Sequence, residues 1–168
     1  EQLLDYNRKQ ADGPVAREAV DLVDLVENVV AAHSLPARAK LMHTELTLQA
    51  RRCLAEPALL ISVMDNLYSN AVHYGAESGN IRIHSYRPAD QVRIDVANSG
   101  EPIPAAEKNM IFEPFYQGSH QRKGAVKGSG LGLSIARDCV RQMQGELSLV
   151  DAPAGQVCFR ITLPSAPE

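Results

Sequence analysis

The segment Pro57–Tyr74, PALLISVMDNLYSNAVHY, decides the fold that this chain can adopt. Pro57 suits the first turn of a helix, where its missing N–H costs nothing. Apolar side chains then recur at helical spacing along one face: Leu60, Met64, Leu67 and Ala71. The segment therefore predicts a helix that packs its apolar stripe on a sheet.

A polar flank follows the same helix. Asn66, Asn70 and His73 share a face roughly 100–120° round from the apolar stripe, and Tyr74 lies at its end. Asparagines are poor helix formers, but an Asn carboxamide offers a neutral oxygen to Mg²⁺ and an N–H₂ group to phosphate. The helix alone does not separate such a ligand site from a pair of solvated or helix-capping amides.

Length and composition fit one globular domain. The 168 residues are 45% hydrophobic and 22% charged, and the net charge of −3 gives no general reason to expect nucleic acid binding. No apolar run reaches the ~20 residues that span a bilayer. Without a signal peptide or initiator Met, the sequence is expected to be a fragment of a longer protein. The odd number of cysteines (Cys53, Cys139, Cys158), without C-x-x-C, favours a reducing compartment.

Three segments precede the central helix. Residues 1–10 are polar and helix-prone, and residues 11–16 read as a linker. From Asp21 a second helical pattern is predicted, with Pro36 marking its end region. Its shared face carries Leu22, Val26, Val29, Val30 and His33. On that face His33 is expected to be a packing residue and not a ligand.

Alternating apolar residues predict strands on both sides of the central helix. Residues 43–50 have strand character, with a shorter piece at 52–54. Residues 75–79 are turn-like. Two strands joined by a hairpin turn at 87–90 should then be antiparallel neighbours, with apolar positions at Ile81, Ile83, Val92, Ile94 and Val96.

The last third mixes loops with regular elements. Residues 98–104 (NSGEPIP) are predicted to be irregular, and residues 105–111 to make one or two helical turns. Residues 117–127 form a polar, basic stretch. GSGLGL (residues 128–133) opens a helix with Ile135, Ala136, Cys139, Val140 and Met143 as its apolar face, which Gly145 ends. Two closing strands are predicted at residues 146–150 and around Val157, Phe159, Ile161 and Leu163.

This order of elements predicts a two-layer α/β sandwich of the α+β class. One mixed or antiparallel sheet of about five strands would carry three helices on one face, with the other face largely solvated.

Gly128, Gly130 and Gly132 lie at a loop-to-helix junction, where free N–H groups and the helix dipole favour anions. Glycines at such a junction can also simply allow tight packing, so the run alone is weak evidence for a phosphate site. It is neither a Walker loop, which would end in Gly-Lys-Ser/Thr, nor a dinucleotide fingerprint, which would follow a strand.

The glycine run is the last of four motifs that follow one another along the chain: N-x-x-x-N-A-x-x-Y, N-x-G-x-x-I-P, F-E-P-F and G-S-G-L-G-L. In these motifs the chain closely resembles the catalytic, ATP-binding domain of bacterial two-component sensor histidine kinases. Those domains share the Bergerat-type ATP-binding fold with gyrase B, Hsp90 and MutL. The resemblance covers residues 21–164.

The resemblance implies a role for each matching residue. Asn70 would be the main side-chain Mg²⁺ ligand with Asn66 as its helper, and both would be catalytic. The adenine end would comprise Tyr74, Asn98, Gly100 and Ile103. The lid of residues 117–127 would be anchored by residues 112–115. The phosphate end would comprise His73, Arg122, Lys127, Gly128, Gly130 and Gly132, and Phe115 and Leu131 would be further ATP-binding residues. Gly155 and Phe159 would be structural.

Three positions depart from the family pattern. Asn98 replaces the usual Asp, and its amide can still accept from the adenine amine and donate to the ring. Pro102 replaces a glycine and stiffens the turn. His73 replaces a Lys or Arg, which moves phosphate charge towards Lys127 or Arg122.

The resemblance also implies a reaction and partners. Residues 1–16 would end a dimerisation helix and form a linker, and residues 17–168 would bind Mg-ATP and transfer its γ-phosphate to a histidine on a separate dimerisation domain. The expected partner is a response regulator, and no nucleic acid partner is expected. The full-length protein would be a homodimer and the fragment a monomer. The location would be the cytoplasmic side of the bacterial inner membrane. The alternatives are a gyrase- or Hsp90-like ATPase and a degenerate nucleotide-sensing module.

Overall fold

The computed structural model describes residues 15–114 and 132–165. Their elements, in chain order, are β1 (Glu18–Asp21), α1 (Leu22–Ala32), α2 (Ser34–Ala39), β2 (His43–Leu48), β3 (Arg52–Ala55), α3 (Pro57–Tyr74), β4 (Asn80–Tyr86), β5 (Gln91–Ser99), a 3₁₀ turn (Ala105–Glu107), α4 (Gly132–Gln142), β6 (Glu146–Val150) and β7 (Gln156–Pro164).

The main sheet has five strands in the order β2-β4-β5-β7-β6. β2 pairs with β4 in parallel, because α3 crosses over between them, and the other three pairs are antiparallel. The helices pack on this mixed sheet, which confirms the predicted α+β sandwich. A separate two-stranded sheet of β1 and β3, in register from Glu18 with Ala55 to Asp21 with Arg52, was not predicted.

The central helix α3 begins and ends at the predicted residues. Glu56 caps it, since its Oε1 accepts a hydrogen bond of 3.0 Å from the Leu59 N–H. The whole predicted apolar stripe is buried, and the buried face is wider than predicted: Leu59, Val63, Tyr68 and Val72 are buried too. The helix therefore contributes much of the core between the two layers.

The N-terminal helical pattern is two helices and not one. α1 ends at Ala32, and Pro36 lies in the first turn of α2, where proline is tolerated, so the prediction that Pro36 marks the end was wrong. His33 lies between them and contacts α3. Its Nε2 is 2.7 Å from Asp65 Oδ1, and its ring centroid is 5.9 Å from that of Tyr68.

The prediction of irregular structure over residues 98–104 was wrong at its first two residues, because β5 continues through Asn98 to Ser99, and is confirmed for residues 100–104. Asn98 pairs with Ile81 on one side and with Val157 on the other. Ladder pairing on both edges outweighs the turn-like composition of the segment. At the other end of the chain, α4 stops at Gln142, three residues before the predicted Gly145.

The three cysteines, all within the described residues, form no disulfide: Cys53 and Cys139 are buried and Cys158 is half-buried. Burial raises the pKa of the Cys53 thiol to about 12. Among residues 15–114 and 132–165, no helix is both long enough and apolar enough to cross a membrane.

Candidate functional site

The polar flank of α3 lies at the edge of the core. Asn66, Asn70 and Tyr74 are half-buried, and His73 is exposed. The Asn66 Nδ2 group donates a hydrogen bond of 3.1 Å to the Ser62 carbonyl one turn earlier. That bond occupies the donor side of the carboxamide, so Asn66 presents its Oδ1 away from its own helix.

The start of α4 faces this amide oxygen. A β-carbon on Gly132 would lie 3.2 Å from Asn66 Oδ1 and 3.9 Å from Asn66 Cγ. The first N–H groups of a helix have no intrahelical partner and carry the positive end of its dipole. The fold thus brings an amide oxygen of α3 to the N-terminus of α4, from residues 66 positions apart in the chain.

A second junction joins the C-terminal end of α3 to the end of β5. The Ala76 N–H donates to the Ser99 carbonyl at 2.8 Å. A β-carbon on Gly100 would lie 3.2 Å from both the Tyr74 carbonyl oxygen and Asn98 Nδ2. Asn98 is 8% exposed. The absence of a side chain at Gly100 therefore allows the two segments to approach each other closely.

Asn98 has a defined amide orientation in this junction. Its Nδ2 donates to the Ser99 carbonyl at 3.1 Å, which identifies Oδ1 as the acceptor side of the amide. Ile103, in the turn after β5, is 9% exposed and belongs to the core. The structure thus brings Asn98 and Gly100 together with the backbone of Tyr74.

His73 and Tyr74 end the flank as an aromatic pair. Their ring centroids are 4.4 Å apart at an interplanar angle of 89°, an edge-to-face arrangement. Burial raises the pKa of the Tyr74 phenol, so it stays neutral at physiological pH.

Phe112 fixes the chain before residue 115. Its ring meets that of Phe159 of β7 edge-to-face with the centroids 6.1 Å apart, and the Arg137 guanidinium of α4 lies over the Phe112 ring, 4.6 Å from its centroid. Arg137 also lies 3.6 Å from Glu146. No sequence motif predicts a role for Arg137; its only signal is a basic residue among the apolar positions of α4.

Six predicted site residues lie outside the described residues: Phe115, Arg122, Lys127, Gly128, Gly130 and Leu131. Residues 1–14 and the predicted lid at 117–127 also lie outside them. The described part of the site is therefore the flank of α3, the first residue of α4 and the turn after β5.

Comparison with known proteins shows the family to which the chain belongs. Residues 55–167 match the family described as histidine kinase-, DNA gyrase B- and HSP90-like ATPases. Over 166 residues the chain is 71% identical to sensor histidine kinase GlrK of Escherichia coli K12 and 70% identical to sensor histidine kinase QseE of E. coli O157:H7. The match covers 99% of this chain and 35% of each relative, so the chain spans about a third of their length.

Solved structures show the same fold. The nucleotide-free catalytic domain of histidine kinase ThkA superposes with a TM-score of 0.78 at 28% identity, covering 90% of this chain and 97% of that one. ThkA in complex with the response regulator TrrA gives 0.74 at 27% identity, covering 90% and 42%. Full-length ShkA with AMPPNP gives 0.84 at 24% identity, covering 99% and 35%, a likeness of fold alone. The resemblance predicted from the sequence is confirmed, and the chain belongs to the histidine kinase-, DNA gyrase B- and HSP90-like ATPase family.

Proposed function

We propose that residues 17–168 are the ATP-binding catalytic domain of a sensor histidine kinase and that residues 1–16 are the end of a dimerisation helix and a linker. The domain would bind Mg-ATP and transfer the γ-phosphate to a histidine on a separate dimerisation domain. The observation that carries the proposal is the Asn66 Oδ1 facing Gly132, the first residue of α4. This contact sets the amide flank of α3 beside the N-terminus of α4, whose free N–H groups favour the phosphates of a nucleotide.

The nucleotide would lie along the flank of α3. Its base would occupy the junction of Tyr74, Asn98, Gly100 and Ile103, close to the Oδ1 acceptor of Asn98. Its phosphates would approach the N–H groups of Gly128, Gly130, Leu131 and Gly132 and the His73 side chain, with positive charge from Arg122 and Lys127 and with Phe115 at the start of the lid.

The two amides of α3 are suitable ligands for Mg²⁺. Mg²⁺ usually keeps several waters and takes one or two protein oxygens together with phosphate oxygens. Asn70 would be the main ligand and Asn66 the helper, and both are neutral, so the phosphates supply the negative charge. When bound, the ion neutralises charge that develops on the transferring phosphoryl group.

Asn66 also favours phosphotransfer over hydrolysis. In the gyrase-like ATPases the corresponding position holds a Glu that activates water, whereas an amide is no general base at neutral pH. The site would therefore hold ATP until an imidazole nitrogen attacks the γ-phosphorus and the bond to the β–γ bridging oxygen breaks, releasing ADP. A gyrase- or Hsp90-like ATPase and a degenerate nucleotide sensor remain the competing functions.

The partners follow from this function. We propose that the domain acts on the protein's own phosphoacceptor domain and on a response regulator, and that it binds no nucleic acid. The full-length protein would be a homodimer and the present chain a monomer. It would lie on the cytoplasmic side of the bacterial inner membrane. ThkA, which shares the fold at 27% identity, has been crystallised with the response regulator TrrA.

The test supplies the acceptor that the chain lacks. Its five histidines are His33, His43, His73, His84 and His120, and none lies in the H-E-x-x-x-P context of the family's phosphoacceptor. The chain alone should bind Mg-ATP without labelling itself. Acceptor helices of GlrK added in trans should become labelled with acid-labile phosphate.

Asn70→Ala should abolish Mg²⁺-dependent ATP binding and this labelling. Asn28→Ala, which removes an exposed asparagine of α1, should change neither. Brisk hydrolysis of ATP without an acceptor would favour the gyrase-like function. Wild-type affinity of Asn70→Ala in the presence of Mg²⁺ would refute the site.

A further inference from the structure

Lys40, in the short connection between α2 and β2, reaches the C-terminal end of α3. Its Nζ donates to three carbonyl oxygens: Val72 at 2.8 Å, His73 at 2.9 Å and Gly75 at 2.7 Å. A lysine ammonium has three donors, and all three are used here. Lys40 therefore caps a helix to which it does not belong.

The cap supplies hydrogen-bond donors to the C-terminal end of α3. The last four carbonyls of a helix have no intrahelical partner and carry the negative end of its dipole. The backbone of Lys40 adds a further bond, because its carbonyl accepts from the Ser78 N–H at 2.8 Å. Lys40 thus holds both the last turn of α3 and the turn that follows it.

The segment that Lys40 holds carries part of the candidate site. His73 and Tyr74 lie within the capped turn, and Asn70 lies one turn earlier. Beyond the cap, Ala76 is hydrogen-bonded to Ser99, and Gly100 packs closely against the Tyr74 carbonyl. The segment is therefore fixed by Lys40 at one side and meets the proposed adenine end at the other.

The ammonium is partly withdrawn from water. Burial lowers the pKa of Lys40, and the Glu77 carboxylate opposes this shift. The three carbonyls still require the charged form, because only an ammonium can donate three hydrogen bonds. A methionine has a similar reach and apolar stem but could supply none of these bonds.

We propose that Lys40 is a positioning residue of the nucleotide site, which holds the last turn of α3 so that Tyr74 and the turn of Asn98 and Gly100 form the adenine end. Lys40 itself would not touch the nucleotide. The inference rests on the proposed ATP-binding function and adds to it a residue far from the sequence motifs.

The test compares Lys40→Met with Lys108→Met. Lys108 is exposed, and its Nζ is 4.0 Å from Asp151 Oδ1, so Lys108→Met should leave the nucleotide affinities unchanged. Affinities for ATP and ADP are measured by displacement of a fluorescent ATP analogue, well below each variant's unfolding temperature. Lys40→Met should bind both nucleotides roughly tenfold more weakly, with an unchanged ATP-to-ADP ratio, because both share the adenosine end. Lys40→Arg should restore part of the loss.

A merely structural role has a different outcome. If Lys40→Met lowers the unfolding temperature while the folded protein binds both nucleotides as wild type does, the proposal is wrong. If neither wild type nor Lys108→Met binds ATP, the proposed function itself fails and the inference falls with it.

A second measurement needs no variant and therefore does not depend on Lys40→Met folding. In the wild-type chain, bound ADP should slow hydrogen exchange at the amides of Ala76 and Ser78, since the nucleotide would stabilise the turn that Lys40 holds. Equal exchange with and without ADP would overturn the proposal.

Discussion

Gly132 begins α4 so close to Asn66 that a β-carbon on the glycine would lie 3.2 Å from the asparagine Oδ1. This contact joins the amide flank of α3 to the positive end of α4. The sequence alone shows both residues as parts of separate motifs. The fold makes them neighbours, and the proposed phosphate end depends on this close approach of α3 to the start of α4.

Gly132→Ala should separate binding from stability. Alanine is favoured over glycine in helices by up to about 1 kcal/mol, so the unfolding temperature should be unchanged or slightly higher. The added methyl would fill the space beside Asn66 Oδ1, and the affinity for Mg-ATP should fall about tenfold, or ~1.4 kcal/mol. Thermal unfolding and calorimetric titration measure the two effects.

Gly145→Ala is the matched control for that substitution. A β-carbon at Gly145 would collide with the Thr162 carbonyl oxygen, at the far end of α4 from the site. This variant should lose stability and, while folded, bind ATP normally. A Gly132→Ala protein that is destabilised but binds ATP like wild type would contradict the proposed phosphate end.

Leu67→Ala tests the core face of α3, as distinct from its polar flank. Leu67 is 1% exposed within the core, and truncation of a buried leucine costs about 2–5 kcal/mol. Urea unfolding should show a loss in this range. Asn70→Ala, on the half-buried flank, should cost less than about 1 kcal/mol, and similar losses in the two variants would be inconsistent with the division of the helix into a core face and a ligand flank.

The sequence was most informative where local signals and packing agree. α3 has a proline in its first turn, a regular apolar stripe and a glycine after its last residue, and its bounds were predicted correctly. β1 was missed because four residues carry little periodicity and depend on their partner strand β3. Asn98 and Ser99 read as a turn by composition, yet strands on both sides draw them into the sheet.

The candidate site divides in the same way. The flank of α3 follows from helical periodicity, so Asn66, Asn70 and Tyr74 could be placed on one face from the sequence. Lys40 could not, because its three acceptors are 32 to 35 residues away in the chain. A lysine in a short connection gives no local signal of the helix end it will reach.

The ion pair of Glu146 and Arg141 should make the free energy of unfolding depend on pH in the acidic range. Arg141 donates to the carboxylate at 2.9 and 3.1 Å, and these hydrogen bonds, with help from the charges of Arg141 and Arg137, lower the pKa of Glu146. A lowered pKa in the folded state means that the stabilisation is complete above the unfolded-state value of 4.5. It is lost as pH falls through the lower folded-state value.

Glu146→Gln should therefore be less stable than wild type at about pH 7, by no more than ~1 kcal/mol because the pair is partly exposed. The difference should shrink as the pH falls below 4.5. Urea unfolding across this range measures it, with Glu27→Gln on the exposed side of α1 as the control. A difference that is constant with pH would show that packing, and not charge, accounts for the effect.

Asn98 should set base preference through one atom. Its Nδ2 is engaged by the Ser99 carbonyl, so in the proposed site Oδ1 accepts from the exocyclic amine of adenine, while guanine would place a carbonyl there. Asn98→Ala should weaken ATP binding about 3- to 10-fold, the value of one neutral hydrogen bond, and leave weak GTP binding unchanged. Asn98→Asp keeps an acceptor but sets a carboxylate oxygen against the Ser99 carbonyl, so it should retain the preference for ATP and unfold at a lower temperature. Competition between ATP and GTP, with thermal unfolding of both variants, tests the pair of effects. Equal losses of ATP and GTP affinity in Asn98→Ala would mean that Asn98 shapes the turn without reading the base.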